Sequence, residues 1–326
     1  MWYGCKVVKL KRNVMSRKWT EEDLEKMVTL KMEGLTFKQM TKYFDATDNA
    51  IKKVYNRKKK ETIKEPKLPK ILVVDLETAP ILGYVWQLFD QNVALNQIKS
   101  DWYILSYAAK WLGSPPDEVF YQDQRKSKDI EDDSEMLKGL WKLLDEADFI
   151  LTQNGKKFDE KKFNARFVLN GFKPTSSFRH IDTLQIAKAR FGFTSNKLEY
   201  MTSKLCTKYK KLDHAKYSGF KLWSECLKGN IDAFNEMKTY NTYDILSLEE
   251  LYIKLRPWDK MTPNMNVFHD EEETFCSCGS IEFTKNGFAY TNNGKFQRYT
   301  CKKCGAEHKD KTNLLSKEKR KSLKKN

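Results

Sequence analysis

The spacing of apolar and polar positions changes three times along this chain of 326 residues. Across 16–60, apolar residues recur at the three- and four-residue spacing of short helices, and Gly34 interrupts the pattern. Across 70–258, short aliphatic and aromatic runs alternate with longer amphipathic stretches, which predicts an α/β domain. Across 262–310 the chain is polar, with strand-like runs around a turn predicted at Asn293–Gly294. Residues 61–69 form a Pro- and Lys-rich linker, and 311–326 a basic tail.

The middle segment contains the clearest elements. Its buried-looking runs predict strands, and its apolar stripes at helical spacing predict helices. The predicted strands are 71–77, 102–112, 118–122 and 148–154, and the predicted helices are 133–147, 160–172 and 237–255.

Charge is divided unevenly among these segments. The net charge of +16 splits into +10 for residues 1–70, +1 for 71–258 and +5 for 259–326. Two basic flanks favour a polyanionic partner, and we therefore expect nucleic acid. No apolar run reaches the length of a membrane span, so we expect no membrane partner. Scattered cysteines suit a reducing, cytoplasmic location, and an origin in a virus or mobile element stays open.

The first segment contains Trp19, an acidic first turn after Ser16 or Thr20, Gly34 and the third-helix stretch "AIKKVYNR". On these residues it resembles a helix-turn-helix module of the Myb/SANT-like kind. In a recognition helix of this kind, basic side chains meet phosphates. The candidate nucleic-acid-binding residues are Lys52, Lys53, Arg57 and Lys58. A small helical bundle that binds a protein is the alternative.

Two carboxylates one residue apart end the first predicted strand. Side chains alternate along a strand, so Asp75 and Glu77 should point to the same face. Like charges at this separation are costly unless a cation lies between them. Two further candidates follow: Asp159 in the first turn of a helix, and the pair Tyr240 and Asp244, which share a helix face at i and i+4.

Three stretches contain these residues in order along the chain: "VVDLETAP", "NGKKFD" and "YNTYDILSLEELYIKLRPW". Together they resemble the tyrosine branch of the DEDD superfamily of RNase H-like 3′→5′ exonucleases. The resemblance covers about 70–258 and implies a mixed sheet flanked by helices.

The resemblance also implies roles for individual residues. Asp75, Glu77, Asp159 and Asp244 would hold two Mg²⁺ or Mn²⁺ ions, and Tyr240 would orient the attacking water. Oxygen ligands are what such hard cations prefer. At the turn before Asp159, Asn154 either contacts substrate or fixes the turn.

The last segment contains four clustered cysteines. Cys276 and Cys278 form a Cys-x-Cys-Gly sequence, and Cys301 and Cys304 a Cys-x2-Cys-Gly sequence after a spacer of 22 residues. With the strand-like runs between them, the two pairs resemble a zinc ribbon. Four thiolates imply one structural Zn²⁺. The first pair is one residue shorter than the usual spacing, so His308 or His269 is an alternative ligand. The candidate phosphate contacts of this segment are Arg298, Lys302 and Lys303.

The resulting hypothesis is a metal-dependent 3′→5′ exonuclease, with DNA favoured over RNA as substrate. Two alternatives stay open. One is a structure-specific endonuclease with the same fold, and the other is a DNA-binding regulator with an inactive nuclease scaffold. The sequence contains no polymerase segment, so we expect a proofreading role to need a partner.

Overall fold

A computed structural model describes residues 18–62, 68–209, 216–268 and 274–324. The chain divides into two compact units, 1–66 and 67–326. The helices are α1 (Glu21–Met32), α2 (Phe37–Met40), α3 (Asp48–Thr62), α4 (Ser134–Glu146), α5 (Asp159–Leu169), α6 (Thr183–Arg190), α7 (Leu198–Leu205), α8 (Lys221–Leu227), α9 (Ile231–Leu255) and α10 (Lys317–Ser322). The strands are β1 (Ile71–Thr78), β2 (Leu82–Gly83), β3 (Ile98–Ser100), β4 (Ile104–Trp111), β5 (Phe120–Asp123), β6 (Phe149–Thr152), β7 (Arg179–Asp182), β8 (Phe283–Thr291), β9 (Gly294–Cys301) and β10 (Glu307–Asn313).

The first unit contains the three helices α1 to α3. Thr20 caps α1 by accepting a hydrogen bond from the Asp23 N–H, and the Asp23 side chain accepts in return from the Thr20 N–H. Ser16, the other predicted cap, lies outside the described residues. A turn with Gly34 at φ 87° follows α1, a conformation that glycine adopts without strain. The buried side chains of this unit are Met27, Leu30, Met40, Phe44 and Ile51.

The second unit is built on a five-stranded sheet with the order β5-β4-β1-β6-β7. β1 pairs antiparallel with β4 and parallel with β6, and β6 pairs parallel with β7. The sheet is therefore mixed, and helices pack on both of its faces. The predicted α/β class with a mixed sheet flanked by helices is confirmed.

The central strand β1 separates two cores. Ile71 and Val73 face a core shared with α9, whereas Leu72 and Val74 face a core shared with α4 and α5. Side chains alternate along a strand, so both faces are apolar here and the strand begins as a continuous aliphatic run. Each such side chain, fully buried, stabilises the fold by about 1.5–3 kcal/mol.

Several elements differ from the sequence-based prediction, and β7, α9 and β10 are examples. β7 was not predicted, because Ile181 is the only large aliphatic residue of its four. Helix α9 begins at Ile231 rather than at residue 237, with the Asn230 side chain accepting from the Asp232 N–H at 3.0 Å. A third strand, β10, extends the C-terminal sheet.

The C-terminal sheet has the order β10-β9-β8. Its hairpin turn is formed by Asn292 and Asn293, one residue earlier than predicted, because Gly294 already pairs with Thr291. Among the described residues, no helix is long and apolar enough to span a bilayer.

Candidate metal-dependent active site

The two carboxylates of β1 lie where the central strand ends. Asp75 is opposite Ala108 and Glu77 is opposite Ser106 on β4. Both acids are half-buried and follow Ile71 and Val73 on the face that α9 covers. Ala108 and Ser106 are small, which leaves space above the strand for the carboxylates.

Helix α9 brings a third carboxylate to this position. Asp244 is buried, and α9 packs across β1 and β4. One oxygen from each of Asp75, Glu77 and Asp244 lies within 4.8 Å of the others. Three carboxylates this close repel one another strongly, and their oxygens are the donor type preferred by Mg²⁺ and Mn²⁺. The donor set therefore fits a hard divalent cation.

Asp159 lies beside this group of three rather than within it. Its Oδ1 accepts a hydrogen bond of 3.2 Å from the N–H of Leu76, the residue between the two β1 carboxylates. Pairing of β1 with β6 ends at Val73, so Asp159 provides an acceptor that a neighbouring strand would otherwise supply. Burial, together with the nearby charge of Asp182, raises the pKa of Asp159 to about 7.

Tyr240 is on α9, one helical turn before Asp244. The two residues share a helix face, as the i, i+4 spacing predicts. Tyr240 is half-buried, and its ring packs edge-on against Trp223 with 6.3 Å between ring centroids. This contact fixes the direction of the side chain from the helix.

Asn241 is a site residue that the sequence-based reasoning missed. Its side chain is fully buried, and Nδ2 donates to Asp75 Oδ2 at 2.7 Å. Its Oδ1 accepts from Ser106 Oγ at 3.4 Å, and the Asp75 carboxylate, which can only accept, assigns Nδ2 to the other end of the amide. A signal was present in the sequence, because Met237, Asn241, Asp244 and Leu248 fall on one helical stripe, and Asn241 is its only polar residue besides the predicted ligand Asp244.

Asn154 borders an open groove between the turn before α5 and the segment that leads into α7. Its backbone has φ 67°, and its N–H donates to Asp182 Oδ1 at 3.0 Å. The same oxygen accepts from the N–H of Leu184 at 3.0 Å, so Asp182 caps α6 and holds this turn. The groove has a volume of about 500 Å³ and is lined partly by Ser195 and Lys197.

The four C-terminal cysteines come together at one end of the small sheet. All four sulfurs lie within 4.8 Å of one another, including those of the shorter Cys-x-Cys pair. The Sγ atoms of Cys276 and Cys304 are 3.5 Å apart, and those of Cys278 and Cys301 are 3.6 Å apart. Tetrahedral Zn²⁺ with Zn–S bonds of about 2.3 Å requires sulfurs about 3.8 Å apart. The donor set therefore fits Zn²⁺.

Local backbone geometry supports the cysteine cluster. Gly279 and Gly305 follow the two cysteine pairs with φ of 81° and 77°, which closes each turn. Burial tends to raise the pKa of Cys301, but backbone N–H groups of Cys304 and Lys303 lower it to about 7. Of the two alternative ligands, His308 Nε2 lies 3.3 Å from Cys276 Sγ, and His269 lies outside the described residues.

The predicted phosphate contacts differ in their surroundings. Lys52, Lys53 and Arg57 are exposed on α3, whereas Lys58 forms an ion pair of 2.7 Å with Glu21. In the C-terminal sheet, Lys302 and Lys303 are exposed. Arg298 donates from Nε to the Asn286 carbonyl at 2.7 Å.

Comparison with known proteins gives a match for the middle of the chain. Residues 109–256 match the family model RNase_H_2, which is described as the RNase_H superfamily. The matched range includes Asp159, Tyr240 and Asp244 and begins after the β1 carboxylates. This domain has an RNase H-like fold.

A solved structure is also similar to this chain. It is the family B DNA polymerase from the hyperthermophilic archaeon Pyrobaculum calidifontis, with 15% sequence identity and a TM-score of 0.42. The similarity covers 59% of this chain and 25% of the polymerase, so this chain spans about a quarter of that protein. No curated protein matches.

Proposed function

We propose that this chain is a metal-dependent 3′→5′ exonuclease that hydrolyses phosphodiester bonds of nucleic acid, with DNA favoured. The observation that carries the proposal is the convergence of Asp75, Glu77 and Asp244 within 4.8 Å at the end of the central strand. The order of the acidic stretches along the chain supports the same activity. The RNase H-like fold is compatible with it.

In this proposal Asp75, Glu77 and Asp244 would hold two Mg²⁺ or Mn²⁺ ions, with Asp159 completing the set. When bound, these ions would activate water and stabilise the charge that develops on the scissile phosphate. The protein's own groups position the reactants. Asn241 holds one oxygen of Asp75, and the Tyr240 hydroxyl orients the attacking water.

Other regions of the chain would hold the strand. In this proposal Asn154 and the groove beside it would receive the 3′ end, because the groove is lined in part by the turn that leads into α5. Lys52, Lys53, Arg57 and Lys58 would contact phosphates from the N-terminal unit. Lys302, Lys303 and Arg298 would do so from the C-terminal sheet, which a structural Zn²⁺ would stabilise.

The test is degradation of a single strand labelled at its 5′ end, prepared as DNA and as RNA. The two metals are added or omitted rather than chelated, because a chelator would also extract zinc. We expect a metal-dependent ladder that shortens from the 3′ end. Absence of shorter products on either polymer with either metal would refute the proposal.

Two controls sharpen this experiment. Asp75→Asn should abolish cleavage, whereas Asp232→Asn, which removes an exposed acid of α9 that pairs with Lys216, should leave it unchanged. A covalently closed circular strand should stay intact. Cleavage of the circle would instead identify the endonuclease alternative.

A further inference from the structure

One face of the C-terminal sheet combines aromatic and basic side chains. Cross-strand pairing places Tyr290 opposite Lys295, and Lys285 opposite Tyr299. Phe288 is on the same face, because Lys295 Nζ lies 3.9 Å from the centre of its ring. We call this surface the aromatic face and define it by Lys285, Phe288, Tyr290, Lys295 and Tyr299.

Exposure on the aromatic face increases away from the cysteine cluster. At the cluster end, Phe283 packs edge-on against His308 with 5.2 Å between ring centroids. Toward the hairpin turn, Phe288 is 41% exposed and Tyr290 is 71% exposed. Packing of the sheet therefore accounts for the cluster end and leaves the aromatic rings near the turn accessible.

The opposite face of the sheet differs in the exposure of its aromatic rings. Arg298 donates to the Asn286 carbonyl and lies 3.6 Å from the Glu307 carboxylate. Lys309 Nζ lies 4.8 Å from the centre of the Phe296 ring, which is only partly exposed. This face satisfies part of its charge within the sheet, and it lacks a strongly exposed ring such as Tyr290.

The charge of the surrounding segment points to a polyanion. Residues 274–326 contain 13 Lys and Arg against four Asp and Glu. Exposed aromatic rings interleaved with lysines suit single strands, because an unpaired base offers its face for stacking while the lysines meet the phosphates. In a duplex the bases stack on one another and their faces are covered.

We propose that the aromatic face is a stacking platform for single-stranded nucleic acid. Bases stack on Tyr290 and on Phe288, from whose ring Lys295 Nζ moves away to contact a phosphate, and Lys285 contacts an adjoining phosphate. The inference of a stacking platform depends on the proposed function in one respect only, which is that the substrate is nucleic acid. It adds a second contact with the strand, separate from the carboxylates, in which the bases themselves are bound.

The experiment measures binding of fluorescent single strands to the full chain by anisotropy. An Asp75→Asn background prevents cleavage without a chelator, so the zinc site stays intact. Two probes have the same backbone length: an oligothymidylate, and an abasic strand without bases. DNA and RNA versions of the first probe show whether the sugar matters.

We expect Tyr290→Ala combined with Phe288→Ala to weaken binding of the oligothymidylate by about ten-fold or more. Binding of the abasic strand should be unchanged, because it offers nothing to stack. Tyr290→Phe, which keeps the ring, should retain affinity. Lys295→Ala should reduce the slope of log K against log salt by about 0.7.

Matched controls address folding and the other face. Lys309→Ala removes the equivalent cation from the opposite face and should leave discrimination between the two probes unchanged. Zinc content equal to that of the parent chain shows that a variant keeps its sheet.

Equal affinity of the parent and the alanine double variant for the oligothymidylate would overturn the platform. If the parent chain does not cleave nucleic acid but the expected binding differences are observed, only the proposed nuclease activity is overturned.

Discussion

The side-chain amide of Asn241 donates a hydrogen bond of 2.7 Å to Oδ2 of Asp75. Further contacts fix the positions of both groups. Asp75 belongs to the central strand, and the Asn241 carbonyl accepts from Ser106 Oγ. Two hydrogen bonds thus fix the orientation of one carboxylate of the site. Such supporting contacts tune how well a ligand side chain binds a metal.

Asn241→Ala should therefore lower the affinity of the site for the metal ion that supports cleavage. We expect the Mn²⁺ concentration for half-maximal activity to rise by about ten-fold, the usual scale for a supporting contact. Activity at saturating Mn²⁺ should fall less. Titration of cleavage rate against Mn²⁺ measures this. An unchanged titration together with a lowered Tm would assign Asn241 a purely structural role.

Variants of Asp159 separate two roles of this carboxyl group. Asp159→Ala removes the acceptor for the Leu76 N–H, and a buried unsatisfied donor should lower the free energy of unfolding by about 1–3 kcal/mol. Asp159→Asn keeps an accepting oxygen and should fold normally, yet it should lose cleavage if Asp159 also holds a metal ion. Denaturant unfolding and cleavage assays check the two effects. Full activity of Asp159→Asn would limit Asp159 to the backbone contact.

Asn154 also has a structural and a functional interpretation that substitutions can separate. Its φ of 67° is strained for most side chains, so Asn154→Ala should cost about 1–2 kcal/mol of stability. Asn154→Gly removes the same side chain without that strain. If Asn154 contacts substrate, the glycine variant should be stable but have a raised KM. Parent-like kinetics for the glycine variant would show that only the turn matters.

Zinc analysis tests the ligand set of the C-terminal cluster. Because four sulfurs already converge, Cys304→Ser should lose the metal, whereas His308→Ala should retain it. Elemental analysis of the purified chains gives the zinc content directly. Loss of zinc from His308→Ala would show that the histidine is a ligand and replaces one cysteine.

The basic residues of α3 can be tested by the salt dependence of duplex binding. Lys52→Ala combined with Lys53→Ala should reduce the slope of log K against log salt by about 0.9 for each phosphate that the variant no longer neutralises. Lys38→Ala, an exposed lysine of α2, is the matched control. Equal slopes for all three chains would favour the alternative that the three helices bind a protein.

The sequence-based prediction succeeded where the signal is local. The aliphatic run before Asp75 predicted β1, and the apolar stripe around Asp244 predicted most of α9. It failed for β7, whose four residues contain one large aliphatic side chain and depend on parallel pairing with β6 for their conformation. Asn241 was missed because its position next to Tyr240 gave no indication of what it would contact.

The sequence by itself determined the types of the main elements and the chemistry of the candidate ligands. Both follow from neighbours along the chain, through the periods of strand and helix and through the oxygen or sulfur atoms of particular side chains. Tertiary structure alone decided that Asp244 lies close to the β1 carboxylates and that Asp159 accepts the hydrogen bond from the Leu76 N–H. It also decided that the short Cys-x-Cys pair joins the other two sulfurs. These relationships depend on how α9 and α5 pack against β1 and how the small sheet folds, which no local pattern specifies.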